Sequence, residues 1–171
     1  MTESPNEQGN LDTLCGLYAL INTLQLLSNI DEDKCGRLFK KGILHLESSK
    51  RLIRALTQGI CKETISELIK EIAPRNIKFE TPFSRNNLTV DQIWNDYSSF
   101  LEKENRAILV CIRGKELNHW TVIKSITQKQ MQLYDSAGYS KLNKRKFTTK
   151  TETIEQPYLL KPTYTFYISN A

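Results

Sequence analysis

The chain has 171 residues, of which 39% are hydrophobic and 25% charged, which fits one domain with a real core and excludes wholesale disorder. A formal net charge of +5 allows a surface for an acidic partner but is too diffuse to argue for nucleic acid. No apolar run approaches the ~18 residues that span a bilayer, so no membrane span is expected.

Residues 1–10 are polar, without the basic region and apolar stretch of a secretory signal. Residues 14–28, LCGLYALINTLQLLS, are apolar nearly all round and predict a helix buried in the middle of the domain, with Asp12 or Thr13 as its cap. Amphipathic segments follow at about 31–42, 48–58 and 62–73; the last sets Ile65, Leu68, Ile69 and Ile72 on one face before Pro74 ends it. A further helix over 89–102 opens with Thr89 and Gln92 in the form of a capping box.

From there the period changes to two. Residues 107–112, AILVCI, read as a buried strand, 113–118 as a turn-rich connection, and 119–126, HWTVIKSI, as a second strand. A polar loop at 127–130 leads to a strand at 131–136, a Lys/Thr-rich surface loop at 139–152, and a final strand at 163–169. Helices first (about 12–104) and an antiparallel sheet second (about 105–171) make a single α+β domain, 1–171.

The four cysteines, at 15, 35, 61 and 111, form no CxxC pair. Zinc sites use short paired spacings and a disulfide framework belongs to small secreted chains, so free thiols, no metal and no cofactor are expected. A cysteine nucleophile needs an ionised thiol, a histidine in reach, a group that orients the histidine, and donors for the oxyanion. Cys15 stands where a helix begins, where the dipole favours an anion, and Gly16 beside it is expected to keep the approach to the sulfur open. The other three lack this combination: Cys35 lies inside an amphipathic segment, Cys61 starts a more ordinary helix and Cys111 is in a buried strand, so they read as packed or incidental thiols.

The chain has two histidines, His45 and His119. His45 lies near a helix end; His119 begins a strand after a turn, where it can point into a cleft. Asp135 follows sixteen residues later on the neighbouring strand. If the hairpin loop is 125–129, His119 faces Asp135; if it is 127–130, His119 faces Gly138 and Asp135 is displaced by three. Trp120 either shields the His–Asp pair or packs on the sheet, and Asn22, on the Cys15 face of the helix, reads as a buried hydrogen-bonder. The basic run 141–150, KLNKRKFTTK, reads either as a grip for an acidic partner or as a solvated loop.

These residues resemble a family. QGNLDTLCGLYALINTL is similar to the start of the papain-like cysteine peptidases, especially the bacterial group that cleaves leader peptides after double glycine. The matching pieces are Gln8, Cys15-Gly16, His119-Trp120 and Asp135, in the order of the leader peptidases and the reverse of the ubiquitin-like-protein proteases. The resemblance implies a papain-like fold, a helical lobe carrying the cysteine packed on an antiparallel sheet carrying the histidine. It implies Gln8 as oxyanion donor with Asn10 as rival, because Gln8 stands seven residues before Cys15 where the family usually has six; Leu14 replaces a commonly acidic residue.

Residues and resemblance together lead to a cysteine hydrolase that cleaves a peptide or isopeptide bond in a protein substrate through a Cys-His-Asp triad and a thioester. The same triad also serves a glutamine deamidase or transglutaminase-type toxin or effector, and a third reading is a catalytically silent papain-like binding module. The expected location is the cytoplasm, or a target cell reached by a dedicated secretion system.

Overall fold

The computed structural model describes residues 4–9, 12–115 and 117–170. Four helices come first: α1 (Cys15–Ser28), α2 (Glu32–Ser48), α3 (Leu52–Gln58) and α4 (Lys62–Ile72). Strand β1 (Ile77–Glu80) and helix α5 (Val90–Leu101) lead into β2 (Arg106–Arg113), β3 (Asn118–Ile126), β4 (Gln130–Tyr134) and β5 (Lys141–Asn143). A 3-10 turn, the two-residue β6 (Phe147–Thr148) and the long β7 (Tyr158–Asn170) complete the chain. The fold is α+β. Its sheet runs β1-β7-β2-β3-β4-β5, antiparallel throughout except that β6 lies parallel to β7. No helix among the described residues is long and apolar enough to cross a membrane.

The central strand explains the layering. Every residue of β2 from Ala107 to Ile112 is buried. Alternate side chains go to opposite faces: Ala107, Leu109 and Cys111 pack with α1 to α4, while Ile108, Val110 and Ile112 pack with α5. Helices therefore cover both faces of the sheet. The expected division into a helical part and a sheet part is corrected accordingly. α5 lies on the far face from the other helices, and β1, drawn from the helical half, pairs with β7 at an edge. Four residues with one apolar face are too few for periodicity to reveal.

α1 is buried nearly all round, with Leu17, Leu20 and Leu24 at 0% exposure. It is hemmed in by β3, β2, α2 and α4. Its N-cap is Leu14, with no side-chain cap bond, rather than Asp12 or Thr13. Asp12 Oδ1 instead accepts from the Leu14 N–H at 2.8 Å, while the Thr13 hydroxyl donates to the Ala55 carbonyl at 2.6 Å and accepts from the Gly59 N–H. The capping box at Thr89 and Gln92 forms as expected.

Two further segments differ from expectation. Residues 139–152 are not a loop: β5 and β6 form there, Phe147 is fully buried, and Lys144 pairs with Asp91 and lies over the Trp94 ring. β7 begins at Tyr158, ahead of the expected 163, and carries Pro162. Proline cannot donate to a ladder, and the pairing of β2 with β7 shifts register between Val110 and Ile112, across Leu160 to Thr165, where Pro162 sits.

α2 crosses close to α1 at Gly42, where an added Cβ meets Leu17 Cδ1 at 2.6 Å, whereas at Gly36 on the same helix a Cβ meets nothing within 4 Å. Gly42→Ala is expected to destabilise by about 1–3 kcal/mol, since buried Leu17 has nowhere to move. Gly36→Ala is expected to be neutral or to stabilise by up to about 1 kcal/mol through helix propensity. Urea unfolding of the two variants checks both.

Candidate active site

Three elements converge on the site. Cys15 is the first residue of α1, His119 the second residue of β3, and Asp135 follows β4 directly. All three are buried. His119 Nε2 and Asp135 Oδ2 are 2.7 Å apart. With Nε2 engaged by the carboxylate, Nδ1 is the ring nitrogen left for the Cys15 sulfur.

The pairing of β3 with β4 explains how His119 and Asp135 meet. Near the loop Ile126 lies opposite Met131 and Ser125 opposite Gln132; beyond Lys124 the register shifts, with Ile123 opposite Leu133 and Val122 opposite Tyr134. Lys124, exposed, is the extra residue of a bulge. Without it Asp135 falls opposite Val122, on the face away from His119. With it the pairing continues to set Asp135 opposite Thr121, a diagonal neighbour of His119 on the same face. Neither simple hairpin register describes the strand pair, because the shift lies inside it.

The second carboxylate oxygen of Asp135 accepts from the N–H groups of Ala137 at 2.8 Å and Tyr139 at 3.2 Å. Asp135 thus shapes the turn after β4 and holds His119 at once. Burial pushes its pKa up, but His119, the neighbouring Thr121 hydroxyl and the Ala137 N–H outweigh that and hold it below its ordinary value; Thr121 acts by proximity, without a hydrogen bond of standard geometry. Burial likewise works to lower the His119 pKa, but Asp135 and the Cys15 sulfur outweigh it and raise it to about 9. Near neutral pH the site therefore holds an imidazolium between a carboxylate and a sulfur.

Gln8 is fixed beside the triad. Its N–H donates to the Ser136 carbonyl at 2.9 Å, and its side-chain amide donates to the Asp12 carbonyl at 2.8 Å and to Asp12 Oδ1 at 3.0 Å. Both amide hydrogens are thus engaged with the turn that opens α1. Asn10, the rival donor, lies outside the described residues. In the first turn of α1 the N–H of Leu17 donates to the Leu14 carbonyl at 2.8 Å, while that of Cys15 has no intrahelical acceptor by position. Asn22, fully buried, accepts at Oδ1 from the N–H of Asn6 at 2.8 Å and from its side-chain amide at 2.9 Å, pinning the segment that carries Gln8 onto α1.

A cleft of about 390 Å³ opens at Cys15 between the α3–α4 connection and the sheet. Trp120 builds it rather than shielding the His–Asp pair: its indole N–H donates to the Ile60 carbonyl at 2.8 Å and ties that wall to β3. Gly16 serves packing, not access. An added Cβ there lies 2.8 Å from Ile65 Cδ1 and 3.2 Å from both Ile60 and Trp120. Cys61 and Cys111 line the same cleft, a placement with no signal in residue order. Burial pushes the Cys111 thiol up to about 12, so it stays protonated. Cys61 is exposed at the start of α4, Cys35 is buried in α2, and His45 lies by Glu67 on the helical face, away from the cleft. No group of three His, Cys, Asp or Glu among the described residues could hold a metal ion.

No protein-family model, curated protein or solved structure matches the chain. What the site can do follows from its own geometry.

The raised His119 pKa carries a stability signature. A group whose folded pKa exceeds its unfolded value, here about 9 against 6.5, contributes stability that is fully present below 6.5 and is lost as pH rises through about 9. Stability is expected to fall across that window and the fall to flatten in Asp135→Asn, where burial then acts on His119 without an opposing carboxylate; urea titrations between those pH limits measure it.

Proposed function

We propose that the chain is a papain-like cysteine hydrolase that acts on a peptide or isopeptide bond of a protein substrate through Cys15, His119 and Asp135. The observation that carries this reading is the buried His119–Asp135 contact of 2.7 Å, which leaves the other ring nitrogen for a cysteine at the first turn of a buried helix. An orienting carboxylate and an imidazole beside a thiol at a helix start are what a cysteine nucleophile needs. A helical layer bearing the cysteine against a mainly antiparallel sheet bearing the histidine supports the papain-like reading of the fold.

In this mechanism the Cys15 sulfur, as thiolate, attacks the carbonyl carbon. The N–H of Cys15, at the start of α1, meets the oxyanion. His119 Nδ1–H protonates the leaving amine as the C–N bond breaks and the thioester forms. Neutral His119 then takes a proton from water as it attacks the thioester, and the acid leaves with Cys15 restored. Asp135 holds the ring in one tautomer and stabilises the imidazolium throughout. The same acyl step on a glutamine side chain releases ammonia, so deamidation belongs to the same chemistry.

Alkylation with a neutral thiol reagent at pH 7, read by peptide mass spectrometry, tests the nucleophile. Cys15 is expected to react faster than exposed Cys61, and His119→Ala to slow Cys15 by about 10²–10⁴-fold. Equal reaction of the two thiols, or fast Cys15 reaction that survives loss of His119, overturns the reading. Intact masses of candidate protein substrates then separate the products: chain cleavage for hydrolysis, a gain of about one dalton per glutamine for deamidation. A reactive Cys15 with neither product points to binding alone.

A further inference from the structure

The charge of the Cys15 cleft is one-sided. Arg54 of α3 lines one wall and Arg113, at the end of β2, lines the other; among the described residues no Asp or Glu lines it. Three cations outside the cleft have acidic partners: Arg51 pairs with Glu67, Lys41 with Glu71 at 3.2 Å, and Lys144 with Asp91 at 2.6 Å. Neither Arg54 nor Arg113 makes an ion pair among the described residues. Arg113 is nonetheless held in place, with its guanidinium 5.4 Å from the centre of the Tyr164 ring, itself a cleft residue. The stacked guanidinium keeps its donors free while losing little freedom on binding. The start of α1 adds its own positive end to the same space. Thr13, Thr57, Gln58 and Asn118 are the neutral polar residues of the lining.

Two guanidiniums on facing walls, unpaired and with no acid between them among the described residues, suit a carboxylate that the substrate brings. We propose that the cleft selects substrates carrying a carboxylate next to the carbonyl that Cys15 attacks, an acidic side chain or a chain terminus, with Arg54 and Arg113 as the specificity residues. The proposal rests on Cys15 being the nucleophile. It names the substrate class: proteins cleaved or modified beside an acidic residue or at a free carboxyl end.

Iodoacetate and iodoacetamide differ by a carboxylate against its neutral amide, and each alkylates a cysteine where it stands. The ratio of their rates at Cys15, followed by peptide mass spectrometry on the full chain, reads the charge of the cleft. The ratio at Cys15 is expected to exceed that at glutathione by about tenfold or more, and to fall steeply with added salt. In Arg54→Gln/Arg113→Gln the ratio is expected to fall several-fold while His119 remains, which separates the arginines from the imidazolium. Arg54→Gln alone changes only an exposed side chain and gives a partial fall, so the result does not hang on how the double variant folds. Protection of Cys15 by acetyl-Glu-amide, by acetyl-Gln as its free acid, and by acetyl-Gln-amide as control distinguishes a side-chain carboxylate from a chain terminus. A His119-dependent Cys15 whose ratio matches glutathione, or is unmoved by the arginine variants, overturns this proposal and leaves the proposed function standing. A Cys15 no more reactive than Cys61 toward either reagent overturns both.

Discussion

Lys124 is one residue more than the pairing of β3 with β4 requires, and the site is built on that excess. Side chains on a strand alternate between faces, so one inserted residue exchanges the faces of everything beyond it. Here it brings Asp135 onto the face that His119 occupies, two positions along, at the distance where a diagonal pair can join. The contact is buried, where an unpaired carboxylate is costly, and Asp135 is accordingly satisfied from two directions, by His119 and by the N–H groups of the turn it shapes.

The other half of the site hangs on how α1 is held. An apolar helix gains most when enclosed, and α1 runs between the sheet on one side and α2 and α4 on the other, with its first residue at the cleft. Its start is fixed by bonds to the turn before it and to the end of α3: Asp12 to the Leu14 N–H, and Thr13 to Ala55 and Gly59. Trp120 reaches from beside His119 to the Ile60 carbonyl, so the residue that follows the histidine also fixes the cleft wall at Ile60. Gly16 allows Ile60, Ile65 and Trp120 to close on the helix without displacing the cysteine. Packing and chemistry thus share residues, and the cleft walls are as firmly tied as the core.

Burial disfavours the charged form at each buried group of the site, yet the outcomes differ within a short distance. At Cys111 nothing offsets it sufficiently and the thiol is held neutral. At His119 and Asp135 mutual attraction outweighs it and the charged forms are favoured. Arg54 and Arg113 line the cleft, and among the described residues no Asp or Glu lines it with them.

The sequence by itself determined the helices, the main strands and the short list of chemical groups. Periods of 3.6 and 2 are local properties, so α1, α4, α5, β2 and β3 were legible from residue order, and two histidines and one cysteine at the start of an apolar helix left few choices. The tertiary structure alone decided what depends on neighbours far along the chain. The four-residue β1 and two-residue β6 exist because β7 offers them an edge. α5 lies on the far face because β2 is apolar on both sides and needs two covers. The bulge at Lys124 leaves no mark in composition, since any exposed residue can be the extra one, and the engagement of Gln8 with Asp12 depends on a turn whose shape residue types do not fix. Local chemistry named the groups; long-range packing chose which of them meet.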